Sequence, residues 1–398
     1  MAGIDLSSIA AGSGGFVING QCAEDFSGRS VASAGDVNGD GLVDLIVGAP
    51  SLDASSAGRS YVVFGRTGTT PVELSAIAAG SGGFVINGQC VYDFSGRSVA
   101  SAGDVNGDGL SDLIVGADRS DPASGPNAGR SYVVFGQTAT TAINLSAIAA
   151  GTGGFVINGQ CAGEQSGRSV ASAGDVNGDG LADLIVGAPG SDPAGGTLAG
   201  RSYVVFGQTG TTPVELSAIA AGTGGFVING QGASDHSGGS VASAGDVNGD
   251  GLADLIVGAD RSDPASGSDA GRSYVVFGQT ASTAVNLSAI AAGTGGFVIN
   301  GQCAGDESGI SVASAGDVNG DGLADLIVGA PYSDPAGGSD AGRSYVVFGQ
   351  TASSAVNLSA IAAGSGGGFV INGQCAYDLA AGAASPRPAT SMATAWPT

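Results

Sequence analysis

One ten-residue segment, SAGDVNGDGL, occurs five times in this chain and constrains its fold more than any other feature. At 398 residues the chain also exceeds the size of a single hydrophobic core, so it needs several packing units. Regular recurrence indicates one supersecondary unit repeated along the chain, with neighbouring units burying each other's apolar faces. The first aspartates of the copies are Asp36, Asp104, Asp175, Asp246 and Asp317, at intervals of 68, 71, 71 and 71 residues.

Each unit contains four segments with the character of short β-strands: SGRSVASAGD, DLIVGA, GRSYVVFG and GGFVING. The second and third are continuous apolar runs rich in Val and Ile, which is typical of strands buried on both faces. Glycine and proline leave no room for long helices, although LSAIAAG can form one short turn. The pattern predicts an all-β fold, a β-propeller with five complete blades of four antiparallel strands. A β-helix is the competing repeat fold, but its coils are far shorter than these units.

The chain is strongly acidic, with 12 arginines, no lysine, 35 acidic residues and a net charge of −23. Such a chain repels nucleic acid and anionic membranes and attracts cations, although an acid-rich surface adapted to high salt gives the same composition. No apolar run reaches the ~18–20 residues of a membrane span. The N-terminal segment also lacks the regions of a signal peptide, so either the protein stays in the cell or its leader and further domains lie outside this sequence. We expect no nucleic-acid partner and no membrane insertion.

The repeated segment contains a nine-residue loop rich in oxygen ligands. In the first copy Asp36, Asn38, Asp40 and Asp44 place side-chain oxygens at positions 1, 3, 5 and 9, and the carbonyl of Leu42 adds one at position 7. The glycines between them permit the positive φ angles of a tight turn. This set approaches the ~6–8 hard oxygen ligands of Ca²⁺, whereas Mg²⁺ retains its waters and soft metals prefer Cys or His. We therefore predict about five structural Ca²⁺ ions.

Three alternatives to this calcium prediction have to be weighed. Asp, Asn and Gly also form turns without a metal, but a turn needs only two or three of these residues and all five loops keep four oxygen-bearing side chains. An EF-hand carries Glu at position 12 between two helices, whereas an apolar strand follows this loop. Dockerin-like pairs contain DVNGDG, but they are short helical units that would not recur every 71 residues.

The segment SGRSVASAGDVNGDGLVDLIVGAP resembles the FG-GAP repeat, which is found in the seven-bladed propeller of integrin α chains and in bacterial surface proteins. The likeness covers residues 1–380 and implies a parent propeller of six or seven blades, with Ca²⁺ between the first two strands of each blade. The sequence departs from the repeat at Gln165, His236 and Glu307, which replace Phe, and at Asp118 and Asp260, where GAP becomes GAD. These departures concern the packing of turns and not the metal loops. The ligands implied are Asp36, Asn38, Asp40, Leu42, Asp44, Asp104, Asn106, Asp108, Leu110, Asp112, Asp175, Asn177, Asp179, Leu181, Asp183, Asp246, Asn248, Asp250, Leu252, Asp254, Asp317, Asn319, Asp321, Leu323 and Asp325.

The resemblance further implies an extracellular or cell-surface module for binding or adhesion. In a four-stranded meander, the loop between the second and third strands lies at the end opposite the metal loop, together with the segment NGQCAEDFSG. These are the parts in which the copies differ most, so we expect a protein or glycan partner on that face. Unconstrained drift of surface loops explains the variation equally well. A purely structural repeat array, or the accessory propeller of a larger secreted hydrolase, is the alternative function.

The sequence contains no recognisable catalytic or cofactor-binding set, since neither a Ser/His/Asp arrangement nor a phosphate-binding loop is present. We therefore predict that the chain is not an enzyme. The single histidine, His236, is expected to be a solvated loop residue. The cysteines share one position of the unit and are expected to be small, partly buried thiols too far apart to pair. They are Cys22, Cys90, Cys161, Cys303 and Cys375.

Both ends of the chain interrupt a repeat. The N-terminal segment IDLSSIAAGSGGFVING corresponds to a fourth strand without the other three, which a closing blade is expected to supply. At the other end AGAASPRPATSMATAWPT stands where SGRSVASAGDVNGDGLAD is expected. GC-rich codons for the expected segment, read one nucleotide late, encode the observed one at all 18 positions. We therefore expect a frameshift near Ala380, a propeller over residues 1–380 and a poorly packed tail over residues 381–398.

Overall fold

The computed structural model describes residues 6–51 and 57–380, so the predicted frameshifted tail lies outside the described residues. The described chain is built from β-strands and very short helices. It contains five repeated sheets, in each of which four antiparallel strands follow one another in sequence order. The predicted fold class, a β-propeller of four-stranded antiparallel blades, is confirmed.

The blade strands occur at the positions that the repeats predict. The first strands are Ser30–Gly35, Ser98–Gly103, Ser169–Gly174, Ser240–Gly245 and Ser311–Gly316, and the second strands are Asp44–Ala49, Asp112–Ala117, Asp183–Ala188, Asp254–Ala259 and Asp325–Ala330. The third strands are Arg59–Val63, Arg130–Val134, Arg201–Val205, Arg272–Val276 and Arg343–Val347, and the fourth strands are Gly83–Asn87, Gly154–Asn158, Gly225–Asn229, Gly296–Asn300 and Gly368–Asn372.

A fifth, two-residue strand and a five-residue helix connect the third strand of each blade to the fourth. The short strand pairs in parallel with the fourth strand of the preceding unit and so links the two blades. The N-terminal strand Ile18–Asn19 pairs in the same way with Val72–Glu73, so it occupies a fourth-strand position ahead of the first blade. The short strands are Val72–Glu73, Ile143–Asn144, Val214–Glu215, Val285–Asn286 and Val356–Asn357, and the helices are Leu6–Ala10, Leu74–Ala78, Leu145–Ala149, Leu216–Ala220, Leu287–Ala291 and Leu358–Ala362.

The core lies between consecutive blades, because each blade presents one apolar face to the next. Between the second and third blades, Ile114 and Phe155 of one sheet pack with Leu184 and Tyr203 of the other, and all four are buried. Three further clusters repeat this arrangement between the other consecutive blades. Burial of apolar area of this kind contributes about 25 cal/mol per Å² and is the main source of stability. Each blade is therefore stabilised mainly by packing against the neighbouring blades.

The glycine in DLIVGA is required because two blades approach each other at this point. A Cβ atom on Gly116 would lie 2.1 Å from the carbonyl oxygen of Gly167, which belongs to the turn before the first strand of the next blade. A Cβ atom on Gly187 would likewise lie 2.0 Å from the carbonyl oxygen of Gly238. No side chain fits such a distance, so this position fixes how closely the inner parts of the blades can pack.

The outer faces of the first and last blades are less well covered than the internal ones. Val31 in the first blade is 65% exposed, whereas the equivalent Val99 is 4% exposed. In the last blade Phe369 is 45% exposed, whereas the equivalent Phe297 is fully buried. Among the described residues, the first strands of consecutive blades lie side by side, and the first strands of the first and last blades make no comparable contact.

Candidate metal sites and the opposite face

The predicted metal loops connect the first and second strands of every blade. In the first blade, Oδ1 of Asp36 accepts hydrogen bonds from the backbone N–H of Gly39 at 2.8 Å and of Asp40 at 3.1 Å. Its Oδ2 accepts from Gly41 at 2.9 Å, so one carboxylate closes the whole turn. Gly39 and Gly41 have φ angles of 75° and 83°, in the left-handed region that favours glycine. The sequence DVNGDG thus forms the tight turn that its composition predicts.

The third and fifth positions of the loop face the same turn. Oδ1 of Asn38 accepts from the backbone N–H of Asp40 at 2.8 Å, and its Nδ2 donates to Oδ2 of Asp40 at 3.1 Å. Oδ1 of Asp40 accepts from the N–H of Leu42 at 2.8 Å. Asp40 is exposed and Asn38 is half-buried, and the other four loops repeat the hydrogen-bond pattern. The structure therefore brings the first, third and fifth positions together at the solvent edge.

The aspartate at the ninth position is buried beneath the loop. Oδ2 of Asp44 accepts from the N–H of Val37 at 3.0 Å, and Oδ1 accepts from the N–H of Gly65 at 2.7 Å, beyond the third strand. The ninth-position aspartates of all five loops have no exposed surface. Each carboxylate ties its loop to the end of the third strand, an anchoring role that the spacing alone did not predict.

Burial dominates the electrostatics of these aspartates. It raises the pKa of Asp112 to about 7 and the pKa of Asp183 and Asp254 to about 6, and two backbone hydrogen bonds to each carboxylate oppose the shift. Nearby acids in the loop, such as Asp104 and Asp108 beside Asp112, add to the increase in pKa. The loops therefore concentrate negative charge at a place where a cation would offset it.

The donor chemistry of the loops fits a hard divalent cation, since three carboxylates, an amide oxygen and a carbonyl lie within nine residues. In the described conformation these oxygens accept hydrogen bonds from the loop's own backbone. Over residues 6–51 and 57–380 no three His, Cys, Asp or Glu side chains are arranged closely enough to hold a metal ion. Calcium binding by the predicted ligands therefore stays a prediction, and it requires the side chains of the turn to exchange backbone donors for the ion.

The opposite end of the blades carries the loops between the second and third strands and the turns before the first strands. His236, expected to be solvated, is half-buried there and lines a cavity, so that expectation is wrong. Its position before a first strand places it where the blades converge. The cysteines were also expected to be partly buried, but all five are exposed because the turn after NGQ lies at the surface, and none forms a disulfide.

A contact between units explains the glutamine of the NGQ turn, which sequence reasoning missed. The hydroxyl of Tyr132 in the second blade donates to Oε1 of Gln89 in the preceding unit at 2.6 Å, and Nη1 of Arg130 donates to the same oxygen at 3.2 Å. The other four units repeat this arrangement. The sequence contained a signal for this contact, because NGQ and GRSY recur together in every unit. The contact holds neighbouring blades in register at the end that lies away from the metal loops.

The fold defines a class of protein, the β-propellers built from repeated four-stranded blades. Comparison with protein families identifies the repeat: the FG-GAP repeat matches five segments, each running from before a first strand to the end of a third strand and containing a complete predicted metal loop. The chain belongs to the FG-GAP repeat family. The matched residues are 27–63, 95–134, 166–205, 237–276 and 308–347.

Individual relatives include integrin alpha chains and a phospholipase. The chain is 32% identical to integrin alpha-IIb of Homo sapiens over 176 residues, which are 44% of this chain and 16% of the relative. It is 32% identical to integrin alpha-5 of Xenopus laevis over 197 residues, 48% of this chain and 17% of the relative. It is 35% identical to phosphatidylinositol-glycan-specific phospholipase D of Bos taurus over 176 residues, 43% of this chain and 19% of the relative. The chain thus spans less than a fifth of each of these proteins.

No helix in the part of the chain that the structure describes has the length and apolar character needed to cross a membrane.

Proposed function

We propose that this chain is a calcium-stabilised β-propeller that binds a macromolecular partner outside the cell or at the cell surface. Membership of the FG-GAP family and similarity to integrin alpha chains support the binding role. The observation that carries the calcium role is the recurrence of one oxygen-rich loop at the same turn of all five blades. A turn without a metal would not need four oxygen-bearing side chains in every copy.

In each loop, the carboxylates at positions 1, 5 and 9, the amide oxygen at position 3 and the carbonyl at position 7 would hold the ion. Bound Ca²⁺ supplies positive charge that offsets the repulsion among the three carboxylates. Five ions would change the net charge of the chain from −23 to about −13. Because the ion binds the folded loop, its binding free energy adds to the free energy of unfolding. The proposed role of calcium is structural, and the proposed role of the chain is binding and not catalysis.

Thermal unfolding with calcium and with an excess of the chelator EGTA tests this proposal. At a calcium concentration about 100 times Kd, each bound ion adds about 2.7 kcal/mol to the free energy of unfolding, so a large rise in Tm is expected. Magnesium at the same concentration is the matched control and should raise Tm less. An unchanged Tm in EGTA contradicts the calcium role and leaves the binding role to be tested separately.

We propose that the partner contacts the face opposite the metal loops. The loops between the second and third strands lie on that face, and their sequences differ between blades, as in residues 189–200 and 260–271. Binding of the chain to purified extracellular-matrix proteins and to a glycan array, with and without calcium, separates a protein partner from a glycan. Exchange of residues 189–200 and 260–271 keeps the composition of the face and should abolish binding. Unchanged binding by this exchange variant contradicts the assignment of the face.

A second candidate function is that of an accessory propeller in a larger hydrolase. The 35% identity to phosphatidylinositol-glycan-specific phospholipase D of Bos taurus favours this alternative. A reading frame that continues into a catalytic domain, with hydrolase activity in the full-length product, supports it. A purely structural array is the remaining alternative, and it predicts no binding in either assay above.

A further inference from the structure

A cavity lies where the five blades converge on the face opposite the metal loops. It has a volume of about 580 Å³. Residues of all five blades line it, from Arg29 in the turn before the first blade to Tyr332 in the last. Its walls are the starts of the first strands and the loops that follow the second strands. A ligand of small-molecule size fits this space.

Arginine is concentrated at this cavity in an otherwise acidic chain. Four of the 12 arginines of the chain line it, and three of them, Arg29, Arg97 and Arg168, occupy the same position in the first three blades. Because the first strands of consecutive blades lie side by side, these residues meet although they are 68 and 71 positions apart in the sequence. The fourth, Arg261, belongs to the loop after the second strand of the fourth blade.

One buried carboxylate balances only part of this positive charge. Oδ2 of Asp118 lies 3.7 Å from Nη1 of Arg97 and 3.5 Å from Nη1 of Arg168, so two guanidinium groups share one oxygen. Asp118 has no exposed surface. Arg29 forms no ion pair and no side-chain hydrogen bond with the described residues. Burial and the charges of Arg168 and Arg29 lower the pKa of Arg97 to about 10, which reflects incomplete compensation.

Hydroxyl groups accompany the arginines around the cavity. Each of the three arginines is followed by a serine that also lines the wall: Ser30, Ser98 and Ser169. Oγ of Ser98 accepts from the N–H of Val170 at 3.1 Å, and Oγ of Ser169 accepts from the N–H of Val241 at 3.1 Å. Neither serine donates its proton to an acceptor among the described residues. Guanidinium groups with hydroxyl donors are the usual partners of phosphate, sulfate and carboxylate groups.

The far side of the cavity has the opposite character, which restricts where an anion can lie. The arginine position is occupied by Gly239 in the fourth blade and Ile310 in the fifth. Asp260, the counterpart of Asp118, therefore lacks both of the guanidinium partners that Asp118 has. Asp260 and Glu307 line this side. An anion is therefore attracted to the arginines of the first three blades and repelled by the carboxylates of Asp260 and Glu307 on the far side.

We propose that the wall formed by Arg29, Arg97 and Arg168 is a binding site for an oxyanion group. The group is a sulfate, phosphate or carboxylate carried by a ligand small enough for the cavity. Arg29 supplies the guanidinium that has no carboxylate partner, and Arg97 and Arg168 lie on either side of Asp118. The inference does not rest on the adhesion proposal or on calcium, because a small anion can occupy the cavity whether or not a partner protein docks.

Isothermal titration calorimetry of the full chain tests this proposal with two probes, sodium sulfate and sodium succinate. Sodium chloride at matched ionic strength is the reference, and neither probe removes calcium as citrate or pyrophosphate would. Saturable binding of at least one probe beyond chloride is expected. Tighter sulfate binding indicates a tetrahedral oxyanion, and tighter succinate binding indicates a planar carboxylate. No saturable binding of either probe overturns the proposal.

Three variants keep the test specific. Arg29→Gln removes an unpaired guanidinium and should weaken binding about tenfold. Arg168→Gln removes a second guanidinium of the wall, leaves Asp118 paired with Arg97, and should also weaken binding. Arg66→Gln changes an arginine outside the cavity, packed over the ring of Phe16, and should leave binding unchanged. Equal binding by all variants with unchanged circular dichroism, or equal loss in Arg66→Gln, overturns the assignment of the site.

Discussion

The hydroxyl group of Tyr132 donates a hydrogen bond of 2.6 Å to Oε1 of Gln89 in the preceding unit. The ring of Tyr132 is fully buried between two blades, so the glutamine provides the acceptor that the hydroxyl needs in an apolar core. Arg130 donates to the same oxygen at 3.2 Å. One side chain thus connects each NGQ turn to the third strand of the next blade, and the pairing recurs in all five blades.

Removal of this acceptor should destabilise the contact between blades. Gln89→Leu removes the acceptor at 2.6 Å from the buried hydroxyl of Tyr132, and we expect a loss of about 1–3 kcal/mol in the free energy of unfolding. Tyr132→Phe removes the hydroxyl itself and should cost about 0.5–1.5 kcal/mol. Urea denaturation followed by circular dichroism measures both. The double variant should be less destabilised than the sum of the two, and strict additivity contradicts a direct interaction.

The number of bound calcium ions provides a direct prediction for the loops. Five ions per chain are expected from equilibrium dialysis with metal analysis, one for each loop. Asp175→Asn combined with Asp179→Asn should remove the ion of the third loop alone. Glu215→Gln removes a negative charge outside the loops and keeps an oxygen to accept the 2.7 Å hydrogen bond from Asn158. A loss of calcium in Glu215→Gln equal to that in the loop variant contradicts site binding and indicates diffuse attraction by charge.

The repeat predicted the blade strands because their signal is apolar and long enough to recognise. DLIVGA is buried along its whole length in the second, third and fourth blades, as its continuous apolar character indicates. Strands such as Val72–Glu73 were not predicted, since two residues carry no periodicity and depend on pairing with the preceding unit. Their existence follows from the packing of blades and not from local sequence preference.

The candidate metal residues were visible in the sequence because they lie within nine consecutive positions. The arginine cluster was not predicted, because Arg29, Arg97 and Arg168 are distant in sequence and meet only when the first strands are aligned around one axis. A signal was nevertheless present, since the three residues share one position of the repeat. Equivalent positions close to the axis of a propeller converge in space, and the differences between copies at such positions identify the asymmetric parts of a site.

The fourth blade offers a test of how charge is balanced in the cavity. Burial, with a smaller contribution from the charge of Glu307, raises the pKa of Asp260 to about 6, although Arg261 and Arg168 oppose the increase. A carboxyl group with a raised pKa in the folded state binds its proton more tightly there than in the unfolded chain. Its contribution to stability therefore falls as the pH rises from about 4 through 6. Asp260 destabilises the folded chain at neutral pH.

Gly239→Arg should reverse part of this loss. A Cβ atom at residue 239 would lie 3.4 Å from Oδ1 of Asp260, and the equivalent position holds Arg97 beside Asp118 in the second blade. The new guanidinium should lower the pKa of Asp260 and raise the free energy of unfolding at pH 7 by roughly 1–2 kcal/mol. Tm measured at pH 5 and pH 7.5 checks the prediction, with Gly239→Gln as the uncharged control. Equal pH dependence of the two variants contradicts the proposed pairing.

The exposed face of the last blade should govern self-association of this chain. Phe369 and Ile371 are 45% and 50% exposed, whereas the equivalent Phe297 and Ile299 are fully buried against the next blade. An apolar sheet face without a neighbouring blade favours association between molecules. Phe369→Ser should therefore reduce association, with a change of less than about 1 kcal/mol in the free energy of unfolding.

Phe297→Ser is the matched variant, because it makes the same chemical change where the neighbouring blade is present. Loss of a fully buried phenylalanine should cost about 3–5 kcal/mol, and it should increase association by loosening the sheets. Light scattering over a concentration series measures association, and urea denaturation measures stability. If both variants lose stability equally, the face of the last blade is covered in solution. The distinction between internal and terminal blades then does not hold.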